Sequence, residues 1–328
     1  MRAIICRSFG PPESLVLEEV DDPSPGEGEV VVDIEACAIT FPVMLMIEDK
    51  YQVKAKLPFC PGGDVGGVIS AVGLGVTDLH VGDRVLAGAG AGGLADRVAV
   101  RREQVIRVPD HVDLAAASGF LYAYGTSLHG LKDRARIQPG ESLLVLGAAG
   151  SVGLAAVELG AQMGARVIAA ASTDEKLALC RERGATETIN YGREDLKTRV
   201  RELTDGAGAD VVYDVVGAGF SEPALRSTAW GGRFLVVGFA AGEIPRIPLN
   251  LVLLKGCAVV GVWWGEYAKR EPVRYQQDVG ELVAMLGEGR IRPHVWATYP
   301  LEQAAEAMRE VADRRAIGKV VVVPRAGE

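Results

Sequence analysis

The sequence of 328 residues has no uninterrupted run of about 20 apolar residues, the length that a membrane-spanning helix needs. Met1 leads directly into Arg2, and the apolar run that ends at Cys6 is too short for the hydrophobic core of a signal peptide. We therefore expect a protein that neither inserts into a membrane nor is secreted.

Cysteine is scarce and there is no excess of positive charge. The cysteines are odd in number and scattered, which indicates reduced thiols in a cytoplasmic protein rather than a disulfide framework; they are Cys6, Cys37, Cys60, Cys180 and Cys257. The net charge of −8 leaves no electrostatic attraction for nucleic acid or for an acidic membrane. We predict neither as a partner.

Glycine, by contrast, is abundant, and one glycine-rich turn organises the middle of the chain. Residues 143–146 are an apolar run typical of a strand buried on both faces, and glycines at 147, 150 and 153 follow it. Residues 152–163 have helical character, and residues 166–170 are a second buried-strand candidate. This order predicts a βαβ unit whose glycine turn brings a helix N-terminus to a pyrophosphate.

The match to the G-x-G-x-x-G dinucleotide fingerprint starts with an alanine, since the string runs Ala148-x-Gly150-x-x-Gly153. The alternative interpretation is a tight turn that binds no ligand. We favour a nucleotide site because the two strands and the helix stand where the binding mechanism requires them.

The end of the second strand distinguishes between the two nicotinamide dinucleotides. An NAD site places Asp or Glu there to hold the ribose 2′-hydroxyl. Here Ser172 and Thr173 follow two alanines, Lys176 comes one turn later, and no carboxylate precedes Asp174. Hydroxyls and a lysine suit a phosphate, so we predict NADPH rather than NADH. Capping of the next helix is the alternative role of the hydroxyls, and Ser172 with Glu175 fits a capping box.

The region before the βαβ unit and the region that includes it differ in character. Up to about residue 118, short strands and glycine or proline turns suggest an all-β, barrel-like unit; the strand candidates are residues 2–6, 15–20, 29–39, 65–72, 83–86, 94–100 and 105–108. Residues 114–130 then predict a helix. From 143 to about 262 strands and helices alternate, which predicts a doubly wound parallel sheet. The tail beyond about residue 290 has strand character and should return to the first domain.

Several motifs along nearly the whole chain carry a resemblance to known enzymes. They are Pro61-Gly-Gly-Asp-Val-Gly-Gly-Val68, His80-Val-Gly-Asp-Arg-Val85, Tyr124-Gly-Thr-Ser127, Gly147-Ala-Ala-Gly-Ser-Val-Gly153, Gly184-Ala185 with Ile189-Asn-Tyr191, and Gly318-Lys-Val320. Together they resemble the medium-chain dehydrogenase/reductase superfamily and, within it, the zinc-free quinone oxidoreductase family. The resemblance implies an α/β fold, with a GroES-like β domain (residues 1–125 and 265–328) interrupted by a Rossmann NADPH-binding domain (residues 126–264) and an active site in the cleft between them.

The resemblance also bears on zinc. Zinc-dependent alcohol dehydrogenases carry Cys-Gly-x-Asp and Gly-His-Glu, where this chain has Cys37-Ala-Ile-Thr40 and Gly62-Gly63-Asp64. The histidine ligand is replaced by glycine, and there is no cluster of four cysteines for a structural zinc. Two buried thiols, Cys37 and Cys60, are the favoured interpretation over a partial site. Without zinc, hydride transfer needs an acceptor that is already polarised: a quinone, or a carbon–carbon double bond conjugated to a carbonyl.

The resemblance implies cofactor contacts at individual positions. They are Thr126 beside the nicotinamide; Ala148, Gly150, Ser151, Val152 and Gly153 under the pyrophosphate; Ser172, Lys176 and Tyr191 at the 2′-phosphate; Gly238, Phe239, Val262 and Trp263 after the fifth and sixth strands; and Lys319, reaching back to the cleft. For the tryptophans at 263 and 264, core packing or a subunit contact is the alternative, and for Lys319 it is a solvated side chain.

The catalytic assignment rests on two hydroxyls. Zinc-free members typically have Asn-Phe-x-Asp where this chain has Thr40-Phe41-Pro42-Val43, so an amide has become a hydroxyl and a carboxylate is lost. Tyr51 stands where the family often has a cleft tyrosine. Our hypothesis is that Thr40, Tyr51 or a backbone N–H donates to the substrate oxygen, and that solvent completes protonation.

Three functions are compatible with these residues. The first is NADPH-dependent reduction of quinones or α,β-unsaturated carbonyls, the second is reduction of a 2-enoyl thioester, and the third is NADPH binding with little turnover. The apolar sixth strand, at residues 256–263, would form a sheet edge. An exposed apolar edge invites pairing with another chain, so we predict a homodimer.

Overall fold

The computed structural model describes residues 1–324 and divides the chain into two compact units. The first unit comprises Met1–Leu121 and the chain from Val283 onward, and the second comprises Tyr122–Leu282. Each has its own main sheet and its own buried apolar cluster, and the first unit also has a small two-stranded sheet. Among the described residues, no helix combines the length and the apolar character needed to cross a membrane.

The N-terminal part of the first unit is mostly strand. The strands are β1 (Arg2–Ile5), β2 (Val16–Glu19), β3 (Glu29–Ile39), β4 (Asp64–Val72), β5 (Arg84–Gly88), β6 (Arg97–Arg101) and β7 (Val105–Arg107), and the helices are α1 (Phe41–Ile47) and α2 (Leu114–Ala117). Helix α1 was not predicted. Pro42 stands in its first turn, where a missing N–H costs no hydrogen bond.

The second unit alternates strands with helices. Its strands are β8 (Ser142–Leu146), β9 (Arg166–Ala171), β10 (Glu187–Asn190), β11 (Ala209–Asp214), β12 (Thr228–Val236) and β13 (Ala258–Gly261); the helices between Thr126 and Arg270 are α3 (Thr126–Leu128), α4 (Ser151–Gln162), α5 (Asp174–Glu182), α6 (Leu196–Leu203), α7 (Ser221–Arg226), α8 (Leu249–Lys255) and α9 (Trp264–Arg270). The strand order β10-β9-β8-β11-β12-β13 is parallel throughout. This confirms the predicted doubly wound sheet.

The last part of the chain contains α10 (Pro272–Gly287), β14 (Val295–Pro300), α11 (Ala304–Ala312) and β15 (Lys319–Val323). Strand β15 pairs antiparallel with β3 and parallel with β14, so the tail joins the first unit's sheet in the order β14-β15-β3-β4-β5-β7. Strand β6 pairs with β3 off this path.

The helix predicted over residues 114–130 is wrong as one continuous element. Helix α2 ends at Ala117, and Gly119 takes a left-handed φ of +68°. A β-carbon at Gly119 would lie 2.5 Å from the β-carbon of Ala38, so only glycine fits this approach to β3. Beyond the break, π-helical turns at Leu121–Gly125 and His129–Ala135 flank α3.

Two further boundaries differ from the sequence prediction. Helix α7 ends at Arg226 and β12 begins at Thr228, so the fifth strand starts six residues before the predicted 234. Helices α8 and α9 were not predicted. Helix α8 carries leucines that face solvent, with Leu249, Leu253 and Leu254 each more than 60% exposed, so it lacks the apolar stripe that marks a packed helix.

Candidate nucleotide site and a polar cluster in the first unit

The glycine turn joins β8 to α4, and its left-handed residue is Gly147, with φ of +62°. Ala148 follows it, is fully buried, and donates its N–H to the carbonyl oxygen of Ala170, 3.1 Å away at the end of β9. In the fingerprint, the first glycine makes the tight turn. Here Gly147 makes that turn one residue earlier, so alanine fits at position 148.

The two later glycines serve different purposes. A β-carbon at Gly153 would lie 2.2 Å from the carbonyl oxygen of Gly147, so the packing of α4 against the turn requires glycine there. At Gly150 a β-carbon would approach the same oxygen only to 3.5 Å, an ordinary contact, and φ is −76°. The protein's own packing does not require glycine at 150. The open space there fits a ligand that approaches the backbone.

The N-terminus of α4 fits a pyrophosphate. The first N–H groups of a helix have no intrahelical acceptor, and the helix dipole attracts an anion to them. Gly150 is the N-cap and has no side chain that could accept these hydrogen bonds. Ser151 and Val152, in the first turn, are half-buried. The backbone amides of residues 151–153 are therefore the groups that would hold a dinucleotide here.

Thr126 is positioned by hydrogen bonds on the helical segment that faces α4. Its Oγ1 donates to the carbonyl oxygen of Tyr122 at 2.6 Å, so toward a ligand this hydroxyl can only accept. The neighbouring Ser127 hydroxyl lies 3.0 Å both from the carbonyl oxygen of Val152 and from the Tyr213 hydroxyl. These contacts tie α3 to the turn and to β11. An acceptor at Thr126 fits the N–H₂ of a nicotinamide carboxamide.

A hydroxyl and an ammonium group meet after β9. Lys176 Nζ donates to Ser172 Oγ at 3.5 Å, and Ser172 is exposed. The capping role falls on Thr173, whose side chain accepts from the backbone N–H of Lys176 at 3.3 Å. The Ser172–Glu175 capping box is therefore wrong. Because Thr173 performs the capping, the Ser172 hydroxyl remains at the end of β9, where a 2′-phosphate is expected.

A further cation at this place was missed in the sequence. Arg193 Nη2 donates to Asp174 Oδ1 at 2.9 Å, and the same oxygen accepts from Asn190 Nδ2 at 2.9 Å. The arginine thus offsets the first carboxylate that follows β9. Tyr191, directly after β10, packs at an angle against Phe220 with ring centroids 4.7 Å apart. The signal for Arg193 was its place directly after a strand end, but a basic residue in a turn is common on any surface.

The residues after β12 and β13 lie at the same carboxyl edge of the sheet. Gly238 and Phe239 follow β12, and the Phe239 ring packs 2.9 Å from where a β-carbon of Gly217 would sit. Val262 is buried after β13, whereas Trp263 is 57% exposed. Trp264 instead packs inside the unit, with its ring against Gly125 and 4.9 Å from Tyr275.

The first unit holds the two predicted catalytic hydroxyls. Thr40 is buried at the N-cap of α1, and its side chain makes no capping hydrogen bond. Tyr51 is half-buried, and burial together with the nearby Asp64 carboxylate raises the pKa of its phenol. Within residues 1–324, neither side chain has a hydrogen-bond partner.

Lys319 is buried, so the alternative of a solvated lysine is wrong. Its Nζ donates to the carbonyl oxygen of Ser118 at 2.5 Å and also to that of Ala116. Burial lowers the pKa of Lys319 to about 7, against the opposing influence of Asp113 and Asp64. In this first unit, the lysine anchors the segment that follows α2.

Asp64 is the residue that the sequence reasoning passed over. It opens β4 and is half-buried, and burial raises its pKa to about 6 although Lys319 opposes the shift. The only signal in the sequence was its place after the paired glycines of the Pro61-Gly-Gly motif. That motif bears on zinc in the sequence analysis, and no role for the carboxylate itself was predicted. Thr40, Tyr51, Asp64 and Lys319 together are called the polar cluster below.

The positions that resemble zinc ligands are packed. Cys37 is fully buried, and burial raises the pKa of its thiol well above the usual range. A β-carbon at Gly63 would lie 2.9 Å from the carbonyl oxygen of Gly90, so no histidine fits there without backbone movement. In the part of the chain that the structure describes, no three His, Cys, Asp or Glu side chains gather as a metal site would require.

Comparison with known proteins agrees with this geometry. A family model described as an alcohol dehydrogenase GroES-like domain matches residues 26–110, and one described as a zinc-binding dehydrogenase matches residues 151–285. The quinone oxidoreductase-like protein 2 homolog of Nematostella vectensis is 39% identical over 325 residues, which cover 98% of this chain and 88% of that protein. The chain belongs to the quinone oxidoreductase-like family of the medium-chain dehydrogenase/reductase superfamily.

Solved structures of family members support the same assignment. Quinone oxidoreductase from Thermus thermophilus, determined alone and in complex with NADPH, is 34% identical with a TM-score of 0.85, covering 98% of this chain and 100% of that one. The Escherichia coli quinone oxidoreductase complexed with NADPH is 27% identical with a TM-score of 0.91, covering 99% and 100%. The resemblance and the fold class are confirmed, and the chain is an oxidoreductase.

Proposed function

We propose that this family member is a zinc-independent reductase that transfers hydride from NADPH to quinones or to α,β-unsaturated carbonyls. The observation that carries the proposal is the pair formed by Ser172 and Lys176 after β9, with their polar groups 3.5 Å apart and no carboxylate before Asp174. A serine and a lysine at this position suit a 2′-phosphate, where an NAD site would have an acid.

NADPH is the cofactor, and when bound it supplies a hydride to the acceptor. The backbone amides at the start of α4 would hold the pyrophosphate, and Ser172 with Lys176 would hold the 2′-phosphate. Thr126, fixed by its bond to Tyr122, would accept from the nicotinamide carboxamide. The walls proposed for the nicotinamide are Phe239, Val262 and Trp263, at the carboxyl ends of β12 and β13.

The choice of acceptor follows from the polar cluster. Thr40 and Tyr51 offer O–H groups that no other described residue uses. A positioned donor of this kind stabilises the negative charge that develops on the acceptor oxygen, and such a donor contributes on the order of 3 kcal/mol. Quinones and conjugated carbonyls need only this hydrogen bond, because their carbon is already electron-poor.

The test is to mix the protein with NADPH and a panel of quinones, enones and an enoyl thioester, and to follow nicotinamide absorbance. We expect oxidation with quinones or enones. Turnover with the thioester alone would reassign the substrate. Quenched nucleotide fluorescence without oxidation of any acceptor would instead favour a binding protein with little turnover.

A double variant tests the hydroxyls. Replacing Thr40 by Val and Tyr51 by Phe should lower kcat at least tenfold while the Kd for NADPH stays within twofold, because both side chains lie outside the nucleotide site of the second unit. A matched control is Tyr299→Phe, which alters a partly buried tyrosine of the first unit's core. Unchanged kcat in the double variant would exclude Thr40 and Tyr51 from catalysis.

We also propose a homodimer and a cytoplasmic location. Strand β13 ends the sheet of the second unit, and Val259 on it is 45% exposed. The leucines of α8 and Trp230 add exposed apolar surface to the same unit. An apolar edge of this kind pairs readily with a second copy. The five cysteines are free thiols, which supports a reducing compartment.

A further inference from the structure

The carboxyl group of Asp64 has no hydrogen-bond partner among residues 1–324, although it is half-buried. Its oxygens are not sealed from solvent, but partial burial without a hydrogen bond from the protein disfavours the ionised carboxylate. Costs of this kind persist at functional sites, where a group must keep its hydrogen-bonding capacity for a ligand. Asp64 therefore needs an explanation that packing does not supply.

The register of three strands places Asp64 with the rest of the polar cluster. Asp64 of β4 pairs with Ala38 of β3, and Ala38 pairs with Val321 of β15. Side chains alternate along a strand, so residues two positions away share a face. Thr40 lies two positions from Ala38, and Lys319 lies two positions from Val321. The cross-strand row therefore brings Asp64, Thr40 and Lys319 to one face of the first unit's sheet.

The segment after α2 covers this face and holds the lysine in place. Gly119 approaches Ala38 so closely that only glycine fits, and a β-carbon on Gly119 would also lie 3.9 Å from Thr40 Cγ2. The carbonyl oxygens of Ala116 and Ser118 accept from Lys319. A cation fixed by two carbonyls near a carboxyl group stabilises that group's ionised form.

The other titratable groups around Asp64 are few. Tyr51 and Lys319 interact with it electrostatically, and Asp113 acts on Lys319 from the start of α2. The Cys37 thiol also interacts electrostatically with Asp64, and burial raises the pKa of the Cys37 and Cys60 thiols, that of Cys60 to about 12, so both stay neutral at physiological pH. Asp64, with a pKa of about 6, and Lys319, with a pKa of about 7, are thus the members of the cluster whose protonation changes between pH 5 and pH 9.

We propose that Asp64 is the acid that protonates the reduced acceptor, with Lys319 as the positioning residue for its carboxylate. The inference rests on the proposed function and replaces solvent as the immediate proton donor. After the acceptor carbon has gained a hydride, an electron pair resides on the acceptor oxygen. The O–H bond of Asp64 breaks as a new O–H bond forms on that oxygen, giving an enol. For a quinone, this enol then tautomerises to the hydroquinone, with the proton lost from carbon returning to the second oxygen through solvent. The resulting carboxylate, stabilised by Lys319, regains its proton from water.

The experiment compares kcat from pH 5 to pH 9 for the wild type, Asp64→Asn, Asp64→Glu and Lys319→Met, with saturating NADPH and the best quinone. For the wild type, kcat should fall as the pH rises through the pKa of Asp64, because the acid form is lost. Asp64→Asn should lower kcat at least tenfold at pH 5.5 and flatten the profile. Asp64→Glu should restore the descending limb. Lys319→Met should move that limb to higher pH, because removing a cation favours the protonated acid.

The Kd for NADPH, measured by fluorescence, should stay within twofold in Asp64→Asn and Asp64→Glu, and this separates loss of the acid from misfolding. For Lys319→Met, which changes an expected cofactor contact, a cooperative urea unfolding transition is the check on folding. Should Asp64→Asn fail to fold, the shift of the limb in Lys319→Met still decides the question. If the wild type is active and its pH profile is the same as that of Asp64→Asn, this inference alone is overturned. If Asp64→Asn does not fold, the same conclusion follows from identical profiles of the wild type and Lys319→Met. If the wild type fails to oxidise NADPH with every acceptor in the panel, both the proposed function and this inference are refuted.

Discussion

The carbonyl oxygen of Gly147 lies 2.2 Å from the point that a β-carbon on Gly153 would occupy. This backbone contact holds the first turn of α4 against the end of β8. A side chain at 153 could not be accommodated by a rotamer change of a neighbouring residue, because the atom that it would meet belongs to the main chain. The dinucleotide turn therefore depends on glycine at 153 for its own structure, whether or not a ligand is bound.

The first prediction separates structure from ligand binding at this turn. Gly153→Ala should lower the free energy of unfolding by about 2 kcal/mol, since overpacking forces the backbone apart. Gly150→Ala, at the N-cap, should cost at most about 1 kcal/mol but weaken NADPH binding at least tenfold, because the methyl group fills the space of the pyrophosphate. Urea unfolding and calorimetric titration measure the two effects. Equal NADPH affinity in Gly150→Ala and the wild type would contradict the placement of the pyrophosphate.

The second prediction concerns cofactor choice. Lys176→Ala should raise the Kd for NADPH between about tenfold and a hundredfold, because a hydrogen bond to a charged group contributes about 1.5–3 kcal/mol. The Kd for NADH should not change, since NADH has no 2′-phosphate. Lys269→Ala on α9, an exposed lysine, is the matched control and should leave both constants unchanged. A parallel loss for NADH and NADPH in Lys176→Ala would assign the lysine a structural role.

The third prediction is a pH dependence of stability. The native pKa of Asp64, about 6, lies above the value near 4 of an unfolded chain, so between these pH values the native state binds more protons than the unfolded state. The stability that Asp64 contributes is complete below about pH 4 and is lost as the pH rises through 6. Asparagine has no proton to lose. Relative to the wild type, Asp64→Asn should therefore gain about 2 kcal/mol in unfolding free energy between pH 4 and pH 8.

Urea unfolding at both pH values measures this gain, with the exposed Asp110→Asn as the control that should show none. A variant that is more stable at pH 8 yet less active is the pattern of a residue kept for function. A constant difference in stability at pH 4 and pH 8 would show that the carboxyl has the same pKa in the native and unfolded states.

The fourth prediction tests the edge of the parallel sheet. Val259→Lys places a charge on β13, and charged residues on an edge strand oppose pairing with another sheet. By light scattering at micromolar concentration, we expect the wild type to be dimeric and the variant to be monomeric. Val273→Lys on α10, at a valine that is 72% exposed, is the control and should remain a dimer. A wild type that is itself a monomer would refute the dimer.

The sequence alone determined the nucleotide unit, because its signals are local. An apolar run of four buried residues in β8, glycines at fixed spacing and a small-residue helix follow one another along the chain, and each indicates its own backbone geometry. Ser172 and Lys176 were predicted as a pair for the same reason, since they lie one helical turn apart. The choice of Thr173 rather than Ser172 as the cap depended on which residue is the last extended one before α5, and that residue is Thr173, with φ of −140°.

Only the tertiary structure decided the polar cluster of the first unit. Asp64 and Lys319 are 255 positions apart in the sequence, and β3 brings them to one face by pairing with both β4 and β15. Lys319 looks like any surface lysine in the sequence, and its buried ammonium group is held by the carbonyl oxygens of Ala116 and Ser118 at the end of α2. Strand register and burial are long-range properties, and a pKa shift follows from them rather than from neighbours in the chain.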